Sequence, residues 1–140
     1  MPAKPVLLFD INVLLDVLQM RQPFYETSAQ LLALAETGQV KGYLSSHSVT
    51  TLFYLIRKER GNSEAKALIT SMLQILKVAA VNEDTIDQAL NLDYQDFEDA
   101  VQMICASQLK ADCLVTRNVK DFQPGLVPVL QPVEFLAAMQ

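Results

Sequence analysis

The chain has 140 residues, of which 51% are hydrophobic and 19% charged, with a formal net charge of −5. That balance excludes a disordered chain, and at this length one hydrophobic core is the default, so a single domain over 1–140 is expected. The negative charge excludes sequence-independent nucleic-acid binding by overall charge alone.

The run Val6-Leu7-Leu8-Phe9, ending at Asp10, reads as a strand buried on both faces. Apolar residues at 13, 14, 15, 17 and 18 predict a short helix over Asn12–Met20. Pro23 opens a second helix, with Tyr25, Leu31, Leu32, Leu34 and Ala35 on its apolar side and Gly38 ending it. Gly42–Ser45 reads as a second strand. Ser46–Arg60 reads as a helix with Val49, Leu52, Phe53, Leu55 and Ile56 inward and Gly61 as its stop. Ser63 then caps a helix running through Leu76. A third strand, Val78–Val81, precedes helices over Glu83–Leu90 and Asp96–Leu109. Cys113–Thr116 is a fourth strand, Val127–Leu130 a fifth, and Pro132–Met139 a closing helix. Strands alternating with helices over the whole length predict a small, mostly parallel sheet covered by helices.

The longest stretch without Asp, Glu, Lys or Arg is Gly42–Ile56, 15 residues, short of the ~20 that span a bilayer. No membrane association is expected. Met1-Pro2-Ala3-Lys4 followed by a short uncharged run does not read as a secretory leader, so the cytoplasm is the expected compartment. Cys105 and Cys113 fall in segments that read as buried and are expected to be inert core thiols. With one His and two separated Cys, a zinc site of Cys and His ligands is not expected.

In open α/β sheets ligands bind beyond the carboxyl ends of the strands, which directs attention to the residues just after each strand. Asp10 and Asn12 could cap the first helix, or Asp10 could hold Mg2+, which takes hard oxygen ligands and keeps several waters. Asp96, Glu98 and Asp99 stand at a helix start, where capping needs only one or two acids. With Asp87 and Asp93 they form part of a base-free, acidic stretch between Lys77 and Lys110, and like charges this close repel unless a cation or protons intervene. Thr116-Arg117-Asn118-Val119-Lys120-Asp121-Phe122 reads either as a polar turn, with Asn118 in an unusual backbone conformation, or as a set of hydrogen-bonding and outer ligands. In the second reading Arg117 and Lys120 meet phosphates. Arg57, Lys58 and Arg60 are either solvent-facing helix bases or further phosphate contacts.

Phe-Asp-Ile-Asn near the N-terminus, Asp-Phe-Glu-Asp-Ala at a late helix start and Leu-Val-Thr-Arg-Asn-Val-Lys-Asp-Phe after it together resemble PIN domains, which include the VapC-type toxins of bacterial toxin–antitoxin pairs. The resemblance covers nearly the whole chain. It implies a three-layer α/β/α sandwich and Mg2+- or Mn2+-dependent cleavage of single-stranded RNA. It also implies an antitoxin protein as a possible partner and a homodimer, for which the Ser46–Leu76 helical pair, with Tyr54 and the Met72–Leu73 region, is the expected surface. Carried over by position, Asp10 is the first acid, Asp99 the central later one, and Asn118 stands where the family has Asp or Asn. These three are the implied metal ligands. Asp121 and Thr116 complete the implied catalytic set.

One position departs from the pattern. The family has a Glu six residues after the strand-end Ser, and here Ser45 is followed at that spacing by Thr51, with no acid between Lys41 and Arg57. His47, Thr51 or Glu98 could stand in; the plain reading of His47 is a polar residue near a helix start. Three functions follow from these residues: a metal-dependent endoribonuclease, a weakened PIN-like module that binds RNA or a protein, and an aspartyl phosphotransferase with Asp10 as nucleophile. The third lacks a second Asp at Asn12 and a later Gly-Asp-x-x-x-Asp segment.

Overall fold

The computed structural model describes residues 4–139; the remaining three N-terminal residues, on which the leader reading partly rests, and Gln140 lie outside it. Five strands, β1 (Val6–Phe9), β2 (Lys41–Ser45), β3 (Lys77–Ala79), β4 (Cys113–Val115) and β5 (Val129–Leu130), form one sheet in the order β3-β2-β1-β4-β5. Every pairing is parallel, with Leu8 opposite Tyr43 on one side and Leu114 on the other. The connections are helical: α1 (Ile11–Leu18), α2 (Tyr25–Glu36), α3 (Ser46–Arg60), α4 (Asn62–Met72), α5 (Glu83–Leu90), α6 (Phe97–Gln108) and α7 (Pro132–Met139).

Side chains alternate across a strand, and here both faces are covered. Leu7, Phe9, Leu44, Cys113 and Val115 pack with residues of α1 to α4 and α7, among them Leu14, Leu31, Leu52, Ile69 and Phe135. Leu8 and Leu114 point the other way, onto Ala89 of α5 and Val101, Met103 and Ile104 of α6. The expected three layers are therefore present, and the sheet is wholly parallel.

Element boundaries moved where packing outweighed local pattern. The third helix starts at Ser46 as read, but only Leu52 and Ile56 of its inward set are fully buried. Gly61, at φ +90°, serves both as the stop of α3 and as the residue before α4, so Ser63 does not cap that helix. α4 ends at Met72 rather than Leu76, and tighter turns follow (Ile75 N–H to Met72 O, 3.0 Å). They swing Leu76 inward against Gly42, where a Cβ would collide with Leu76, Phe9 and Ala35. Met72 is itself buried, so of the expected pairing surface Tyr54 and Leu73 are the exposed apolar residues. Both cysteines are free and buried, and burial pushes the Cys105 thiol up to about 11 and the Cys113 thiol up to about 12. Among the described residues no helix is long and apolar enough to cross a membrane.

Candidate functional site

The strand order reverses between β1 and β4: the chain builds β2 and β3 outward on one side of β1, then returns to lay β4 on the other. The crevice outside the carboxyl ends of such a strand pair is where this class of sheet binds ligands. Asp10 follows β1 and Thr116 follows β4. The Asp10 N–H donates to Val115 O (2.9 Å), which fixes its backbone to the end of the neighbouring strand.

The Asp10 side chain does not cap α1, although it occupies the capping position. Its carboxylate is almost wholly buried and accepts from Thr116 Oγ1 at Oδ2 (2.8 Å) and from Gln102 Nε2 at Oδ1 (3.1 Å). Burial raises its pKa, against the pull of the Thr116 and Gln102 hydrogen bonds and of the Ile11 and Asn12 N–H groups. Thr116 Oγ1 in turn accepts from Asn118 N–H (3.0 Å). Asn118 has φ −111° and ψ 62°, outside the helical and extended regions, though φ stays negative. Its carbonyl accepts from Asp121 N–H (3.0 Å), which opens a short 3-10 helix over Val119–Phe122.

Asp96 caps α6 by accepting from Asp99 N–H (3.2 Å), so the capping reading holds for that acid. Asp99 is half-buried on the first turn. Burial, then Asp96, Asp10, Asp121 and Glu98, push its pKa up to about 7. Asp93, Asp96, Asp99 and Asp121 line one cleft of about 360 Å³, with Tyr94, Gln95, Lys120 and Gln123. Tyr94 shapes its wall: its hydroxyl donates to Pro124 O (2.6 Å) and its ring meets Phe122 edge-on.

Of the bases singled out by sequence, Lys120 lines this cleft. Arg117 does not. Its guanidinium lies over the Phe24 ring (4.2 Å), and Nε is 2.8 Å from Oδ2 of Asp16. That contact is a charge pair rather than an aligned hydrogen bond. Asp16 is wholly buried in α1 and needs a counter-charge, which draws Arg117 down from the strand end. Arg57 and Lys58 lie about 6 Å from the Tyr54 ring. Arg60 reaches Leu18 O (3.2 Å) and Glu64 (3.7 Å).

At the start of α3, Ser45 Oγ contacts both His47 Nδ1 (3.0 Å) and Ser48 Oγ (2.8 Å). Burial lowers the His47 pKa while Glu98 and Asp96 pull it up, so this helix start faces that of α6. Thr51 Oγ1 donates to His47 O (3.1 Å), a bond within its own helix.

Two residues of this region escaped the sequence reading, Gln102 and Asp16. Each is a lone polar residue in an apolar run, Ala100–Ala106 and Val13–Leu18. Both are buried, which is the signal such an interruption carries.

The donor set suits a hard divalent cation. Each Asp10 oxygen accepts one side-chain hydrogen bond, and Gln102 Oε1 is buried without a hydrogen-bond partner. Among the described residues no three His, Cys, Asp or Glu side chains stand close enough to enclose an ion. Such a set matches the way Mg2+ is held, by one or two carboxylates with waters.

A family model described as the PIN domain matches residues 6–120, and the chain belongs to that family. Solved structures share the fold. DNA-bound VapBC from Salmonella typhimurium superposes with a TM-score of 0.70 at 15% identity, covering 91% of this chain and 98% of that one. A toxin–antitoxin complex from Klebsiella pneumoniae gives 0.67 at 23% identity, over 89% and 96%. VapC20 of Mycobacterium tuberculosis, a toxin that cleaves the sarcin-ricin loop, gives 0.61 at 16% identity, over 77% and 86%. Comparison with curated proteins gave no match. Membership of this family removes the support for the aspartyl phosphotransferase reading.

Proposed function

We propose that the chain is a Mg2+- or Mn2+-dependent endonuclease of single-stranded RNA, working in the cytoplasm. The observation that carries this reading is that Asp93, Asp96, Asp99 and Asp121 line one cleft, with the half-buried Asp99 also close enough to feel the charge of Asp10 at the end of β1. Family membership makes nuclease chemistry the natural use of such a cleft.

In this reading Asp10, Asp99 and Asn118 hold the cation, which when bound supplies an activated water and offsets phosphate charge. Thr116 and Gln102 fix the Asp10 carboxylate by hydrogen bonds to its two oxygens. Asp121 sits across the cleft from α6, and Lys120 is the base placed to meet the RNA backbone. Water attack on phosphorus with cleavage of the P–O3′ bond leaves a 5′-phosphate and a 3′-hydroxyl, and no protein nucleophile is needed.

The test is cleavage of a labelled single-stranded RNA with Mn2+ by the parent, Asp10→Asn and Asp99→Asn. Cleavage by the parent to 5′-phosphate ends, lost in both variants that still fold, is expected. Cleavage that persists in both variants refutes the site. Thr51, whose hydroxyl is tied to its own helix where the family carries an acid, favours a second reading: a weakened module that binds RNA or a protein. Mn2+ binding without cleavage would select it.

The toxin–antitoxin complexes among the structural matches support an antitoxin as partner. We also propose a homodimer through α3 and α4, where Tyr54 is 51% and Leu73 40% exposed. A monomer in sedimentation at ~100 µM, where pairing with a ~µM dissociation constant would be evident, removes the dimer.

A further inference from the structure

Gln102 stands three residues after Asp99, one turn along the same face of α6. It is 2% exposed, in a helix whose neighbouring positions from Ala100 to Ala106 are all buried. Its side-chain nitrogen donates to Asp10 Oδ1 (3.1 Å). With its nitrogen facing the carboxylate, the amide turns its oxygen elsewhere. That oxygen, Oε1, is buried and has no hydrogen-bond partner in the protein.

A buried amide oxygen left unpaired is costly, so its partner is expected to come from outside the chain. The partner must be a donor or a cation. Asp10, bonded to Gln102, and Asp99, one turn before it, present the same requirement when ionised, because an ionised carboxylate offers only lone pairs. A single species satisfies all three: a hard divalent cation, which accepts amide carbonyls as ligands alongside carboxylates.

Charge points the same way. The α3 position where the family carries an acid is Thr51 here, so one anionic donor is gone. Asp99 is already crowded by Asp96, Asp10, Asp121 and Glu98. A neutral oxygen adds a ligand to such a site without adding repulsion.

We propose that Gln102 is a metal-binding residue at the buried Asp10 carboxylate, behind the cleft that Asp99 lines, its Oε1 serving as a neutral oxygen ligand that offsets the acid missing at Thr51. The inference rests on the cation-binding reading above and extends it to a residue outside the expected set.

Calorimetric titration of the full chain with Mn2+ tests it, using the parent, Gln102→Met and Gln102→Glu, with thermal unfolding of each with and without Mn2+. Gln102→Met keeps the length and removes both amide atoms. It is expected to weaken Mn2+ binding by about tenfold or more, in the range typical of site-residue losses, and to reduce the stabilisation by Mn2+ accordingly. Gln102→Glu keeps an oxygen and loses the N–H donor to Asp10. It is expected to be less stable without metal and to bind Mn2+ at least as tightly as the parent. If Gln102 acts only by holding Asp10 through its N–H, Gln102→Glu weakens binding as much as Gln102→Met does, and the proposal is overturned. Parent-like affinity in Gln102→Met overturns it too, while leaving the cation site in place. A parent that binds no Mn2+ removes the cation reading and this inference together. If Gln102→Met does not fold, Gln102→Glu decides alone, with weakened binding as the refuting result.

Discussion

Replacing Arg117 with Met would strip the counter-charge from Asp16. In the parent Asp16 is 0% exposed, with Arg117 Nε 2.8 Å from one carboxylate oxygen and an Arg21 nitrogen 3.9 Å from the other. Breaking a buried pair by removing one partner costs ~3–5 kcal/mol. Two features lower that figure. Arg21 remains, and Asp16 can escape by protonation, since burial already raises its pKa against the pull of Arg117 and Arg21. Loss of the guanidinium from above the Phe24 ring adds back ~0.5–1 kcal/mol. The expected cost is ~2–4 kcal/mol at about pH 8.

The pH dependence of that cost has a definite sign. Without Arg117 the folded-state pKa of Asp16 rises further above its ordinary value of 3.8. The folded chain then holds a proton that the unfolded chain releases, so stability falls as pH climbs from the ordinary pKa to the folded one. The penalty should therefore be smaller at about pH 5 than at about pH 8. Urea unfolding of the parent, Arg117→Met, Asp16→Asn and the double variant at both pH values measures it. The double variant buries no charge and should be less damaged than Arg117→Met, with a coupling energy above ~1 kcal/mol at the higher pH. A coupling below ~0.5 kcal/mol, with equal penalties at both pH values, would show that the pair is not energetically joined.

Three further outcomes are expected. With its pKa at about 7, above the ordinary 3.8, Asp99 makes the metal-free fold lose stability as pH rises from about 4 to about 7; Asp99→Asn should flatten that slope in melting curves taken in EDTA, and parallel curves would mean the acids do not converge. Gly42→Ala should cost ~1–3 kcal/mol through overpacking against Leu76, Phe9 and Ala35, seen as a fall in Tm of several degrees. Thr51→Glu gives up only a bond to its own helix and should tighten Mn2+ binding roughly tenfold, a gain of ~1.4 kcal/mol, with faster RNA cleavage; unchanged affinity would place this side chain away from the cleft.

What the sequence disclosed and what it hid divide along a physical line. The strands were legible because each is a short apolar run stopped by polar residues, and the acid after β1 stood out for the same reason. The cap on α6 was legible because Asp96 and Asp99 satisfy a local rule. The destination of Arg117 was not, because it depends on a buried carboxylate in α1, about a hundred residues away. Leu76 continues a helical pattern in sequence, yet α4 ends at Met72 and Leu76 packs over Gly42, which has no side chain to oppose it. Gln102 was passed over because one amide in an apolar helix carries no motif; its meaning lies in Asp10, 92 positions earlier.

The pairing of β4 with β1 also sets a clock. Asp10 and Thr116 are joined by a hydrogen bond across 106 positions. At a synthesis rate of ~5–20 residues per second, Thr116 is added ~5–20 s after Asp10. Through that interval a nascent chain can carry β1, β2 and β3 and still lack the wall that orients its first acid. Chain closure over so long a span is slow and comes late in folding. The cleft proposed to act on RNA therefore stays unassembled until β4 has been made and laid beside β1.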